Sequence, residues 1–222
     1  MSGKLLLVEG GDDKQFVLAA LKQFGIFEVQ VKPPGDRSLP GGWAGVLNYL
    51  EMQLDLVKGD DAPDRLGVLL DADYPINQGG FSQRFAQVEQ LLSQAGYLLN
   101  QASCPRGSLF SHPDGLPPIG LWVMPNHADD GALENFLAQL ITSEAQLRLI
   151  RHAGNAIASL PEILFDPVLR QQKALISTWR AWQKYPGAPY KQCVDDAAFD
   201  MSSTLAGDFH SWLKLVFTDS LL

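Results

Sequence analysis

The chain has 222 residues, 46% apolar and 19% charged, enough to bury a substantial core as one domain or a domain with an appendage. Its formal charge of -8, from 17 basic against 25 acidic residues, argues against a passive nucleic-acid-binding module, whose affinity comes from Lys and Arg displacing counterions. Two cysteines, Cys104 and Cys193, are too few for a disulfide scaffold or a structural zinc, and no apolar run approaches the roughly 20 residues that span a bilayer.

The first residues carry no signal-peptide pattern, so a cytoplasmic protein with no membrane association is expected. Leu5-Leu6-Leu7-Val8 reads as a buried strand ending in Glu9-Gly10. Phe16, Val17, Ala20, Leu21 and Phe24 then recur at helical spacing, with Asp12 placed to cap the start and Gly25 to end it. A second strand, Phe27 to Lys32, precedes the loop Pro33-Pro34-Gly35-Asp36 and a helix marked by Val46, Leu47, Leu50, Leu54 and Val57. The third strand runs from Arg65 to Asp71, and Phe81, Phe85, Val88, Leu91, Leu92 and Ala95 mark the third helix. This alternation predicts an α/β fold with a mostly parallel sheet, right-handed crossovers and helices on both faces.

From Tyr97 to Pro125 short apolar pieces at Leu98-Leu99, Leu109-Phe110 and Ile119 to Met124 read as one or two more strands, the last antiparallel or at an edge. A helix containing Leu133, Phe136, Leu137 and Leu140 follows a cap at Asp129 or Asp130. Helical patterns then recur over 144–160, 168–183 and 205–217, making the C-terminal third mainly helical. Trp179, Trp182, Trp212, Phe209 and Phe217 fit the core of that region better than a base-stacking platform. His112, His127, His152 and His210 lie in no metal-binding or triad spacing and read as solvated or capping residues.

The chemical signal is acidic. In a parallel sheet, ligands bind beyond the carboxyl ends of the strands, where Glu9 and Asp71 both sit. Should the first and third strands be neighbours, Glu9, Asp71, Asp73 and Asp13 converge into a set of hard oxygen ligands suited to Mg2+ or Mn2+. In an extended segment Asp71 and Asp73 point to one side and can address one ion. Taken singly, Asp12 and Asp13 also suit a helix start, and Asp71-Ala72-Asp73 is an ordinary loop sequence. Glu9 is the informative residue, because an acid closing a strongly apolar strand has little structural reason to be there.

In order and separation, Val8-Glu9-Gly10-Gly11-Asp12-Asp13 and Leu70-Asp71-Ala72-Asp73 resemble the Toprim domain of topoisomerases, primases and OLD-family nucleases. The likeness is closest to uncharacterised Toprim-like families related to the OLD nucleases. It implies a Toprim, Rossmann-like domain over residues 1–140, with a helical extension over 141–222 packed on it. It also implies Glu9 as general acid or base or metal ligand, Asp71 and Asp73 as Mg2+ ligands, and Asp13 as the further acid of OLD-like members. Glu134, in Asp130-Gly131-Ala132-Leu133-Glu134, is similar to the downstream acid that would bind a second ion.

OLD-like nucleases also use a lysine after that acid. This chain offers none between Glu134 and Lys173, so either Lys14 or one of Arg148 and Arg151 substitutes, or the chemistry is weakened. The resemblance implies a Mg2+-dependent phosphotransfer enzyme, a nuclease acting on nucleic acid or a nucleotide substrate, with Glu9 and Lys14 as catalytic groups. The alternative is a non-catalytic Toprim-like module that binds a metal or a protein. A receiver-like domain and a nucleotide-sugar transferase share single features and rank lower.

Overall fold

The computed structural model describes residues 3–35, 41–57, 59, 62–100 and 106–218; Asp36 and Cys104 lie outside them. In chain order it contains β1 (Lys4–Leu7), α1 (Gly11–Gln23), β2 (Val29–Lys32), α2 (Gly42–Leu56), β3 (Arg65–Asp71), a 3-10 turn (Pro75–Asn77), α3 (Phe81–Gln94), β4 (Leu98–Leu99), β5 (Ser108–Ser111), β6 (Ile119–Met124) and α4 (Leu133–Gln139). Helices α5 (Glu144–Ala158), α6 (Gln171–Ala181), α7 (Tyr190–Asp195) and α8 (Thr204–Phe217) follow. None of the described helices is long and apolar enough to cross a membrane.

The six strands form one mixed sheet in the order β2-β1-β3-β6-β5-β4, with β2, β1, β3 and β6 parallel and β5 and β4 antiparallel. One expectation is corrected here. The Ile119–Met124 strand is antiparallel to β5, as expected of it, but is not at the edge: its other side pairs parallel with β3, and it is buried at all six positions. Its uninterrupted apolar run is the pattern of a strand covered on both faces.

Side chains alternate across the sheet and divide the core in two. Leu5, Leu7, Val68, Leu70, Leu121 and Val123 pack under α2 and α3. Leu6, Val8, Leu69, Trp122 and Met124 pack on the other side with residues of α1, α4 and the C-terminal helices. The helical third therefore supplies most of one covering layer of the sheet. Trp179, Trp212, Phe209 and Phe217 are buried within it as expected, whereas Trp182 is 39% exposed and is not core.

Two glycines explain how α8 sits so close. Gly67 and Gly120 are partners in the β3–β6 register, and a Cβ on Gly67 would lie 2.8 Å from Phe217 Cζ, while one on Gly120 would overlap Val216 Cγ2. Glycine inside a strand marks such a close approach of another element. Gly120→Ala is expected to lower stability by about 1–3 kcal/mol through overpacking, measurable as a shift in the chemical denaturation midpoint at unchanged slope.

Several helix starts differ from the sequence expectation. α1 begins at Gly11, with Gly10 rather than Asp12 at the cap position and no side-chain cap. α4 begins after Ala132, so neither Asp129 nor Asp130 caps it; Asp129 accepts from Asn126 Nδ2, and Asp130 accepts from Phe81 N–H at 2.7 Å, capping α3 from a distant loop. A cap donated across the fold has no local sequence signature.

Candidate functional site

The carboxyl ends of β1, β3 and β6 lie side by side, and each feeds a loop that contributes acids. β1 stops at Leu7, two residues short of Glu9, whose Oε1 accepts from Asp71 N–H at 2.8 Å. A carboxylate thus takes a strand-end donor that would otherwise pair with a carbonyl, tying the two sequence motifs together. Asp71 in turn accepts from Leu133 N–H through Oδ1 at 2.9 Å, fixing the start of α4 and bringing Glu134 into the same neighbourhood.

The loops after β3 and β6 are stitched to each other. Asp73 N–H donates to Gly131 O at 2.7 Å, and Gly131 N–H returns a bond to Asp73 O at 3.0 Å. Asp73 adopts a left-handed backbone, φ 58°, so the segment is not extended through both acids. Their carboxylates consequently go to different partners: Asp71 to α4, Asp73 to Arg84 on α3, with Arg84 Nη2 3.2 Å from Asp73 Oδ2. The turn closes tightly behind them, where a Cβ on Gly79 would fall 2.6 Å from Asp73 Cβ.

Crowding of like charge shows in the acid strengths. Burial holds the Asp71 carboxyl well above the usual range, and the charges of Asp13, Glu9, Glu134 and Asp73 add to it in that order. Glu9 is pushed up to about 8, mainly by burial, opposed by the Asp71 N–H, then raised by Asp13 and Asp73 and lowered by Arg84. Asp13 rises to about 6 through burial and Glu134, despite help from the N–H groups of Asp13 and Gly10 at the helix start. All five expected acids therefore share one electrostatic site. Desolvation together with specific charged neighbours is the usual mark of functional carboxylates.

Most of these acids already have protein partners: Glu9 and Asp71 on backbone N–H groups, Asp73 on Arg84, and Glu134 Oε1 3.2 Å from Lys173 Nζ. Among the described residues no group of three or more His, Cys, Asp or Glu is arranged as a ready-made metal cage. Asp13 leaves one carboxylate oxygen over. It is only 7% exposed, and its Oδ1 is buried with no hydrogen-bond partner. Donor type and this orphaned oxygen fit a hard divalent cation, although a protein-only cage is not preassembled.

The cations that pair with acids of the site are Arg84 and Lys173, neither of them among those the sequence offered. Arg148 pairs with Glu144 one turn away, Arg151 donates to Leu147 O, and Lys14 forms no ion pair among the described residues. Lys173, from α6 in the helical third, reaches Glu134 instead. Arg84 was also missed, although its sequence position gave a sign: it lies in the apolar stripe of Phe81, Phe85 and Val88, where a solvated arginine does not belong.

His127 is likewise not solvated. Its Nδ1 accepts from Val123 N–H, which puts the proton on Nε2 toward Ser108 Oγ, and its ring packs against Phe81, Phe85 and Trp122. Burial lowers its pKa to about 4. A cavity of about 340 Å³ lies away from the acids, bordered by Gln146, Trp182, Lys184, Tyr185 and Cys193; none of the five acids lines it.

Fold and site together define an α/β protein whose parallel strand ends gather buried acids. The chain belongs to the family described as "Protein of unknown function (DUF3226)", whose model matches residues 3–218. No curated protein and no solved structure matches it.

Proposed function

We propose that the acidic site is the centre of a Mg2+- or Mn2+-dependent phosphotransfer enzyme of Toprim type, specifically a nuclease cleaving phosphodiester bonds. The observation carrying this reading is the convergence of the strand-end acids through the Glu9–Asp71 and Asp71–Leu133 bonds, together with a buried Asp13 oxygen that has no hydrogen-bond partner. Glu9, Asp13, Asp71 and Glu134 are the residues that would hold the ion, with Asp73 beside them. A bound divalent ion would supply charge neutralisation to a phosphate.

The chain's own groups have distinct tasks in this reading. Before an ion binds, Glu9, pushed up to about 8, holds a proton near neutral pH, which a bound ion would displace. Because its Oε1 accepts from Asp71, the proton belongs on Oε2, which faces Gly42 at the start of α2. Lys173 is half exposed and paired with Glu134, so it can turn toward the negative charge that develops on a phosphate. The helical third would then contribute chemistry as well as core.

Calorimetric titration with Mn2+, paired with cleavage assays on single- and double-stranded DNA, RNA and a dinucleotide, tests the proposal. Saturable binding and cleavage that EDTA abolishes are expected; undiminished cleavage in EDTA, or no ion binding, would overturn it. Ion binding without cleavage would favour the second reading, a non-catalytic metal-binding or protein-interaction module. That reading draws support from the acids' existing protein partners and from the net charge of -8.

A further inference from the structure

The Arg84 guanidinium is an unusual object, a charge only 1% exposed and held on three sides. Nη2 donates to Asp73 Oδ2 at 3.2 Å, Nη1 donates to Gln87 Oε1 at 3.1 Å, and its flat face lies 3.9 Å from the centre of the Trp43 ring. Nε is buried with no hydrogen-bond partner among the described residues. Asp73 is the anion that Arg84 contacts directly, the other two contacts being a neutral amide and an aromatic face. A buried guanidinium stripped of its counter-ion is strongly unfavourable, so the carboxylate cannot be surrendered without moving the arginine.

The backbone points the same way. Asp73 is locked by its two-bond bridge to Gly131 and by the close passage of Gly79, and its left-handed conformation carries its carboxylate toward α3 while that of Asp71 goes to α4. We propose that Asp73 is the fixed counter-ion of Arg84 rather than a ligand of the catalytic ion. The Trp43–Arg84–Asp73 set is then a structural clamp on the loop after β3, separate from the ion's ligands. This assignment rests on the ion-binding reading above and narrows it: of the two aspartates in Asp71-Ala72-Asp73, only the first addresses metal.

Thermal unfolding and Mn2+ calorimetry on Asp73→Asn, Arg84→Met, Arg84→Lys and the double variant Arg84→Met/Asp73→Asn separate the roles. Asp73→Asn, which strands the cation, is expected to lower the unfolding midpoint by about 10 °C, and the double variant to recover at least about half of that loss. Arg84→Lys keeps the charge but loses the flat stack on Trp43, and is expected to fall between wild type and Arg84→Met. Mn2+ affinity in Asp73→Asn and the double variant should stay within about threefold of wild type, whereas Asp71→Asn should lose at least about 30-fold.

A 30-fold loss of affinity in Asp73→Asn, or additive midpoint losses in the double variant, would overturn the assignment. Absence of Mn2+ binding by wild type would instead overturn the ion-binding reading, and with it the metal half of this assignment. The thermal cycle would still decide whether Arg84 and Asp73 are obligate partners.

Discussion

Asp71→Asn is expected to give a protein that is more stable and nearly inactive. Its carboxylate is buried at a strand end with four acids around it, so ionisation there opposes folding whenever no cation is bound. The asparagine keeps a carbonyl oxygen for Leu133 N–H, preserving the bond that positions α4, while removing one negative charge from the cluster. In EDTA at pH 7.5 the unfolding midpoint should rise by about 3–6 °C, the size of ordinary single-site stabilisations. Ion-dependent cleavage should fall at least about 100-fold, because the central carboxylate of the proposed ligand set is gone. Opposite signs are the diagnostic feature: joint loss of stability and activity would identify Asp71 as a structural acceptor and remove the main support for a phosphotransfer centre.

The sheet was legible from the sequence where pattern is local. Arg65–Asp71 matches β3 residue for residue, and three strand–helix alternations gave the parallel core, because a continuous apolar run followed by a 3.6-residue period constrains one element at a time. Pairing order is not local: nothing in the six residues of Ile119–Met124 says that they have a parallel neighbour on one side and an antiparallel one on the other. The acids at strand ends were readable for the same reason as the strands. Their convergence depends on bonds between Glu9 and Asp71 and between Asp71 and Leu133, each spanning 62 residues. The cations were not readable by proximity in sequence, since Lys173 arrives from a helix that covers the sheet and Arg84 comes from the buried side of α3. Arg84 alone left a trace, as a charge inside an apolar stripe.

Without a bound cation, stability should fall as pH rises from about 4.5 to 8, because the raised carboxylates outweigh His127, which pulls the other way. Glu9 goes from an ordinary 4.5 to about 8 and Asp13 from 3.8 to about 6, so the folded protein holds protons that the unfolded chain has released. Their contribution is complete below the unfolded values and is lost as pH rises through the folded ones. His127 behaves oppositely: its pKa drops from 6.5 to about 4, so its contribution is complete above 6.5 and is lost as pH falls toward 4. For His127 this amounts to about 3 kcal/mol between pH 6.5 and 4, less than the opposing contributions of Glu9 and Asp13 together. Between pH 4.5 and 6.5 the two effects oppose; from 6.5 to 8 the histidine is already neutral in both states and Glu9 acts with little opposition. Over that upper range the midpoint in EDTA should fall by an amount corresponding to about 2 kcal/mol, or about 5 °C. Saturating Mn2+ should flatten this slope, since a cation replaces the protons that otherwise hold the carboxylates together, and the gap between the Mn2+ and EDTA curves should widen with pH. Glu9→Gln should reduce it in EDTA as well, leaving the part due to Asp71. Parallel curves with and without Mn2+ from pH 6.5 to 8 would mean that no cation competes with those protons, and the acids would then be no more than a buried hydrogen-bonding knot at the end of the sheet.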